Sequence, residues 1–424
     1  MAAYDKFAKE ALSKYKAMPE ETSELYKKNF IKLPNLEEEA AQVVAVQKEL
    51  AESVRKNYGS IGVEFDAVIG GGEAYSSNEK FIEVKDVGVL GEEFLRGKLY
   101  SNSEDKYVSY IHAFSKNAVL IKVPKGQSAR LAVLMFNSET PLNAQITVDV
   151  GDGAKLELLE VCASSAEANS SFGVLNEVKV GKNSSVEVNV LHNENADTTV
   201  MSFFKTFASE DAAIKFNSLY SGGMHVRVRN IMEASGAGSR VEANEIVIGA
   251  DSQKFDLGTF VINAAEKTVA SVESKAVLLG EATGIIKGFA KLNHGAKKSN
   301  SFILERGLLF DRGAKVDCMP DMSVDENDVR ATHSSATTPL DSNALFYVMS
   351  RGINEPIAKR LLALGFFSSI ISRIESESMR EIAAAMVRDK IDRKKPGNIP
   401  ELGEEYEEGG KSTDFFEGHY KYRQ

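Results

Sequence analysis

The 424-residue chain has two cysteines, Cys162 and Cys318, nine prolines and no tryptophan. Cysteines this far apart build neither a disulfide framework nor a CxxC metal clip, which points to a reducing, cytoplasmic setting. Long apolar runs are missing too. The longest, Leu361 to Ile371, is broken by Gly365, Ser368 and Ser369, whereas a bilayer span needs about 20 apolar residues. The first residues, MAAYDKFAKEALSKYKAM, mix charge with apolar positions and hold no apolar signal core. A membrane is therefore not expected, and the Asn-x-Ser sequons at Asn169 and Asn183 read as chance. Nor is there an excess of positive charge: 51 Lys and Arg face 61 Asp and Glu, a formal charge of −10. Nucleic acid is excluded as a partner, because a phosphate backbone needs a basic face. What is present is an ordinary folded composition, 43% hydrophobic and 26% charged, which excludes collagen-like and disordered readings.

Three textures follow one another. The first, over 1–75, is helical: Phe7, Leu12 and Tyr15 recur at helical spacing, and 36–55 is rich in Ala, Glu, Leu and Gln. Leu33-Pro34-Asn35 separates the two stretches. The second, over 76–335, is a series of short alternating strands, most of them following a small turn: Gly151–Ala154, Gly181–Ser184, Ser209–Ala212, Gly236–Ser239 and Asp311–Ala314. The first branched residues after turns (Leu156, Val186, Ile214, Val241, Ile285, Val316) are spaced 30, 28, 27, 44 and 31 apart. A unit of about 30 residues predicts a mainly β fold, a right-handed parallel β-helix whose coils bury their apolar faces by stacking. The step of 44 is either an insertion or an unrecognised coil. A Greek-key sandwich is the competing architecture, but one seldom runs beyond about 250 residues without a helix or domain break.

The third texture, over 336–395, is helical again. Asp341 and Gly352 bracket one helix, Glu355 to Leu364 forms a second that Gly365 stops, and Ser378 with Glu381 reads as a capping box opening a third. A polar tail follows over 396–424.

Enzyme signatures are scarce. Gly409-Gly410-Lys411-Ser412 resembles the end of a phosphate-binding loop, but Glu405 stands where its first glycine belongs, and four glutamates nearby would repel a triphosphate. Gly70-Gly71-Gly72 reads as a tight turn. The six histidines (His112, His192, His225, His294, His333, His419) show no i, i+4 pair and no HxH. Cys162, in a Leu-Leu-Glu-Val-Cys strand, reads as a small buried hydrophobe. Cys318 has His333 fifteen residues on, and a thiolate with an imidazole suits a soft transition metal. Two ligands remain half a site.

The segment ATHSSATTPLDSNALFYVMSRGI (331–353) carries a resemblance. Thr332, His333, Ala336, Thr337, Leu345, Phe346, Tyr347, Ser350, Arg351, Gly352 and Ile353 resemble the signature of the SufB/SufD family of iron–sulfur cluster assembly proteins. Upstream, Asp317-Cys318-Met319-Pro320-Asp321 looks like that family's turn, and the helices after Glu355 look like its following helices. Ser334 stands where the SufB branch has a glutamate, and no cysteine lies between Cys162 and Cys318, so the chain is similar to SufD, with His333 as the matching histidine. Cys318 falls where the family usually has threonine and inherits no role.

The resemblance implies a scaffold rather than an enzyme. Such a subunit pairs its β-helix with a SufB-type subunit, or with itself, and docks the ABC ATPase SufC on its C-terminal helices. ATP hydrolysis then belongs to that partner. An iron or iron–sulfur cluster is held transiently at the subunit junction, with His333 as this chain's metal-facing residue and Cys318 as a lesser candidate. Leu361, Leu362, Leu364, Phe366, Phe367, Ile370 and Ile371 form the expected docking surface, unless they cap the end of the β-helix instead. Two other readings stay open. A β-helix lyase or hydrolase would use the acidic cluster Asp321, Asp325, Glu326 and Asp328, and a metal-free solenoid would serve interactions alone.

Overall fold

In a computed structural model of the chain, residues 2–21, 30–34, 36, 48–60, 62–70, 73–137, 141–165 and 170–393 are described. The expected tail with its Gly409–Ser412 string, the sequon at Asn169, Gly71 and Gly72, and residues 37–47 of the second helical stretch lie outside them.

Alternating strands with branched residues build two long sheets wound into a β-solenoid of about seven turns. One sheet, here sheet A, runs in spatial order Glu73–Ser76, Ala67–Gly70, Ser128–Asn137, Lys155–Ser164, Ser185–Asn193, Ala213–Tyr220, Arg240–Gly249, Val269–Leu278, Asn300–Leu309, Arg330–Pro339. Sheet B opposes it, from Ile82–Asp86 through Asn117–Val123 and Leu142–Val150 to Thr283–Leu292 and Lys315–Cys318. Pairing is parallel along both sheets except at the N-terminal end, where Ala67–Gly70 meets Glu73–Ser76, and Ile82–Asp86 meets Asn117–Val123, in antiparallel fashion. Strands thus extend beyond 76–335 at both ends. Inward rows of Val, Ile, Leu, Phe and Ala fill the space between the sheets, as sheets covered on both faces require.

The turns explain the period. Residues at the third turn position stack coil on coil in left-handed conformation: Gly153, Asn183, Asp211, Gly238, Lys267 and Lys298. Each donates its amide to the turn of the next coil, as from Gly153 to Lys182 O and from Lys267 to Lys297 O. Glycine, Asn and Asp tolerate positive φ best, and these residues announced the early coils. The step of 44 is an unrecognised coil: Val241 is followed in register by Ala270, and Ile285 belongs to sheet B. Its turn, Ala265–Thr268, carries Lys267 at the left-handed position and so gave no turn signal.

Helices pack on the outer sides of the solenoid, not across its ends. Ala2–Ala17 and Lys106–Phe114 cover sheet B, where Tyr15, Tyr110 and Ile111 meet Leu175, Met201 and Phe203. An ionic cluster pins the following segment, with Glu21 binding Arg227 and Arg229 at 2.9 Å each. Glu355–Ile371 and Glu377–Ile391 lie on the outer face of sheet A, against Leu191, Leu219, Ile246 and Val277. Two boundaries differ from expectation. Gly365 lies inside its helix, because burying Phe367 and Ile370 outweighs a glycine cost of about 1 kcal/mol. The last helix is capped by Ser376, which accepts from Met379 N, two residues before the expected Ser378. Among the described residues no helix is long and apolar enough to cross a membrane.

Candidate functional site

The resemblance-bearing segment occupies the C-terminal end of the solenoid, and His333 lies on its last strand. Arg330–Pro339 pairs in parallel with Asn300–Leu309 along its whole length and with nothing on its other side among the described residues. Arg330 N donates to Ser299 O and Leu340 N to Leu309 O, so even-numbered amides face inward along the ladder. The amides of Ala331, His333, Ser335 and Thr337 consequently point to the open edge.

Register also fixes the side chains. Ile303, Glu305 and Gly307 face the lumen, and His333, Ser335 and Thr337 sit directly over them. Gly307 is required here: a Cβ would stand 2.1 Å from Val316 Cγ1. In sheet B the matching strand is broken. Lys315–Cys318 and Asp321–Val324 both pair with Thr283–Leu292, and Pro320, which has no amide to donate, stands between them. The His333 ring reaches across to this break, with Nδ1 3.3 Å from Pro320 O. Its partner is thus a backbone carbonyl of the opposite sheet. Thr337 Oγ1 lies 3.4 Å from Val316 O and 3.8 Å from Cys318 Sγ.

Both predicted metal-facing residues therefore belong to one terminal coil, though they differ in character. His333 is exposed. Cys318 is half-buried, and burial above all, with Glu305 and Asp317 nearby, pushes its thiol up to about 11. A thiol that keeps its proton is a poor nucleophile, and it ligates a metal only by giving that proton up to the ion. Glu305 went unnoticed in the sequence: it is fully buried, and burial raises its carboxyl to about 8. Its signal was the inward parity of strand 300–309, legible only once register was known.

The expected docking residues divide. Phe367 and Ile370 are buried against sheet A, and Leu364, Phe366 and Ile371 pack on the same cluster. Lys275 Nζ holds Phe366 O at 2.7 Å and Ser369 Oγ at 2.6 Å. Phe367 and Ile370 are thus covered by the sheet's outer face, and Leu364, Phe366 and Ile371 are covered in part. Leu361 remains exposed and Leu362 half-buried. The larger apolar surface is on Ser342–Ser350, a helix with no buried residue, where Phe346 is 73% and Tyr347 59% exposed. The acidic cluster divides: Asp321 opens the strand Asp321–Val324, and Glu326 belongs to the turn after it, accepting from the amides of Gly295, Asn327 and Asp328.

With this geometry in view, comparison with known proteins is specific. A family model described as "SUF system FeS cluster assembly, SufBD core domain" matches residues 134–366. The iron–sulfur cluster assembly protein SufD of Bacillus subtilis is 24% identical over 330 residues, 73% of this chain and 75% of that protein. SufD of Escherichia coli is 20% identical over 293 residues, 67% of this chain and 69% of that protein. A SufBD family protein of Mycobacterium leprae is 29% identical over 203 residues, 46% of this chain and 52% of that protein. The core match spans more than half of the chain, from the first parallel strand of sheet A to the helix at Phe366, and the chain belongs to the SufB/SufD family of iron–sulfur cluster assembly proteins, nearer its SufD branch.

Proposed function

We propose that this chain is a non-catalytic scaffold subunit of a cytoplasmic SUF machinery, joining a SufB-type subunit through the open edge of its solenoid. The observation that carries the reading is the terminal strand Arg330–Pro339, unpaired on one side, with His333 exposed in its inward row. An edge strand of ten residues is a ready template for a second chain. A second copy of this chain could use the same edge, and the SufB-type partner is favoured by the SufD-side relationship. At such a junction His333 supplies one neutral imidazole nitrogen to an iron or cluster passing through as cargo, and the partner supplies the remaining ligands. Cys318 is secondary: it is half-buried, and among the described residues no further His, Cys, Asp or Glu joins it and His333 in a group of three. A SufC-type ATPase docks on the C-terminal helices, through Phe346, Tyr347 and Met349 together with Leu361, which stay exposed.

Reconstitution with SufB-type and SufC-type subunits tests the reading. The three chains should form one complex, and His333→Ala should leave that complex intact while abolishing cluster acquisition. Cys318→Ala should do much less. A histidine variant that acquires cluster at the normal rate, beside a cysteine variant that fails, would move the site to the thiol.

A further inference from the structure

A second group of metal-ligating side chains lies deep in the lumen, away from the terminal coil. Cys162 and His192 are register partners on adjacent strands of sheet A, and Glu194 follows two residues after His192. All three are fully buried. Their ligand atoms, one sulfur, one nitrogen and one oxygen, lie within 4.8 Å of one another. The strand of His192 is five strands from the open edge, roughly 24 Å at the usual strand spacing.

The surroundings hold the group in place. His192 Nδ1 is 2.5 Å from Glu194 Oε1, and Nε2 is 3.1 Å from Ser202 Oγ. Tyr220 stacks on the ring at 5.0 Å and Phe172 meets it edge-on at 6.0 Å. Glu194 Oε2, equally buried, accepts no hydrogen bond. A carboxylate oxygen in an apolar lumen without a partner is costly, and a cation removes that cost.

We propose that Cys162, His192 and Glu194 bind a divalent first-row ion of the Zn²⁺ class, clamping two successive coils from inside. A thiolate, an imidazole and a carboxylate form a borderline set that suits Zn²⁺ or Co²⁺ and not the hard ions Ca²⁺ and Mg²⁺. The ion takes Nδ1 of His192, the free Oε2 of Glu194 and the sulfur of Cys162; the proton between Nδ1 and Oε1 leaves as that pair opens from 2.5 Å, and the Cys162 thiol releases its proton as the sulfur coordinates. Nε2–H then donates to Ser202 Oγ, fixing the ring as such outer partners do. Because the lumen is closed around the cluster, the ion enters as the chain folds.

The test uses the full chain, produced in medium supplemented with Zn²⁺ or Co²⁺ and purified folded without added metal. Elemental analysis should find about one ion per chain. The cobalt form should show the near-ultraviolet band of a cobalt–thiolate bond. His333→Ala and Cys318→Ser should keep both signals, which separates this site from the terminal one. Cys162→Ser and His192→Gln should lower retained metal by at least about tenfold, since loss of a mere outer partner of a ligand already costs that much. If a lumen variant fails to fold, the Cys318→Ser chain still decides, since Cys162 is then its one sulfur ligand of cysteine type. Wild-type chain without bound metal overturns the proposal. So does a thiolate band that survives Cys162→Ser or disappears with Cys318→Ser.

Discussion

The two ends of the solenoid are built from the same kind of coil and finished in opposite ways. At the N-terminal end Ala67–Gly70 folds back against Glu73–Ser76 as a hairpin, and Ile82–Asp86 returns antiparallel along sheet B, with Ile69 and Ile82 buried in the lumen. At the C-terminal end nothing folds back among the described residues. Arg330–Pro339 exposes its outer edge, its inward row is His333, Ser335 and Thr337 rather than aliphatic, and the helix after it buries no residue. An exposed edge is an aggregation hazard that proteins ordinarily blunt. One end is thus terminated by the chain itself, and the other is left for termination by a second chain. The helices sharpen this contrast: Ala2–Ala17, Lys106–Phe114, Glu355–Ile371 and Glu377–Ile391 bury apolar faces on the sides of the two sheets, whereas Ser342–Ser350, beside the open end, buries none.

The largest effect should come from closing the open edge to a partner while sparing the fold. Ser335→Pro removes one outward amide and no amide of the internal ladder, and Ser334 before it is already extended. The variant should fold with unchanged circular dichroism and show no binding to a SufB-type subunit measurable by calorimetry, since a strand-adding partner needs the edge amides. Equal affinity would place the junction elsewhere. Ser334→Pro is the contrasting change: its amide lies within the ladder, so it should destabilise the last coil itself.

A smaller effect separates lumen from edge by pH. Glu160, Glu245 and Glu305 stand in one inward row, reached in register through Val190, Ser218 and Ser274. Burial raises Glu160 and Glu305 each to about 8. Their unfolded values lie near 4.5, so the folded state binds the extra protons, and stability falls as pH climbs from that range through 8. Glu305→Gln should flatten this slope and stabilise the chain by about 3 kcal/mol at pH 7, the free energy of keeping a proton on a buried carboxyl at a pH well above the ordinary carboxylate range. Denaturant unfolding at pH 5, 7 and 8.5 checks it. A slope identical to that of the parent chain would mean the carboxyl is ionised inside the lumen.

Much of the fold was legible in the sequence because the coils are local repeats. Turn residues Gly153, Asn183, Asp211 and Gly238 mark positions where left-handed backbone is needed, and the chain advertises them. The coil behind Lys267 was hidden for the same reason, since lysine carries no such mark. Gly365 misled because a helix glycine is a weak stop when neighbouring phenylalanines have a sheet to cover. His333 was found through a string of residues and not through any ligand spacing. The lumen cluster shows the limit most clearly. Cys162 and His192 are thirty residues apart and become neighbours only through parallel register, and His192-Asn193-Glu194 is not a spacing that announces a site. Inward polar residues of a solenoid are invisible until the period is known to within one residue, because a slip of one turns every side chain outward.

The smallest expected effect tests the closed end. Asp66 sits at the mouth of the N-terminal hairpin, where Oδ2 accepts from Ala132 N at 2.8 Å and Oδ1 accepts from Asn78 Nδ2 at 2.9 Å. Its backbone is held as well, with Asp66 N donating to Ala132 O and Ser77 N donating to Asp66 O, each at 2.8 Å. The carboxylate thus ties the return loop to the first parallel strand of sheet A. Asp66→Ala should cost about 2 kcal/mol, the scale of a hydrogen bond to a charged group, and Asp66→Asn less, since its amide oxygen still accepts from Ala132 N. The loss should stay local. Amide exchange should quicken over 67–76 and leave Asn300–Leu309 protected, because each coil of a solenoid contacts only its neighbours. Exchange that quickened equally at both ends would show that the ends are coupled, and that closing one helps hold the other ready for its partner.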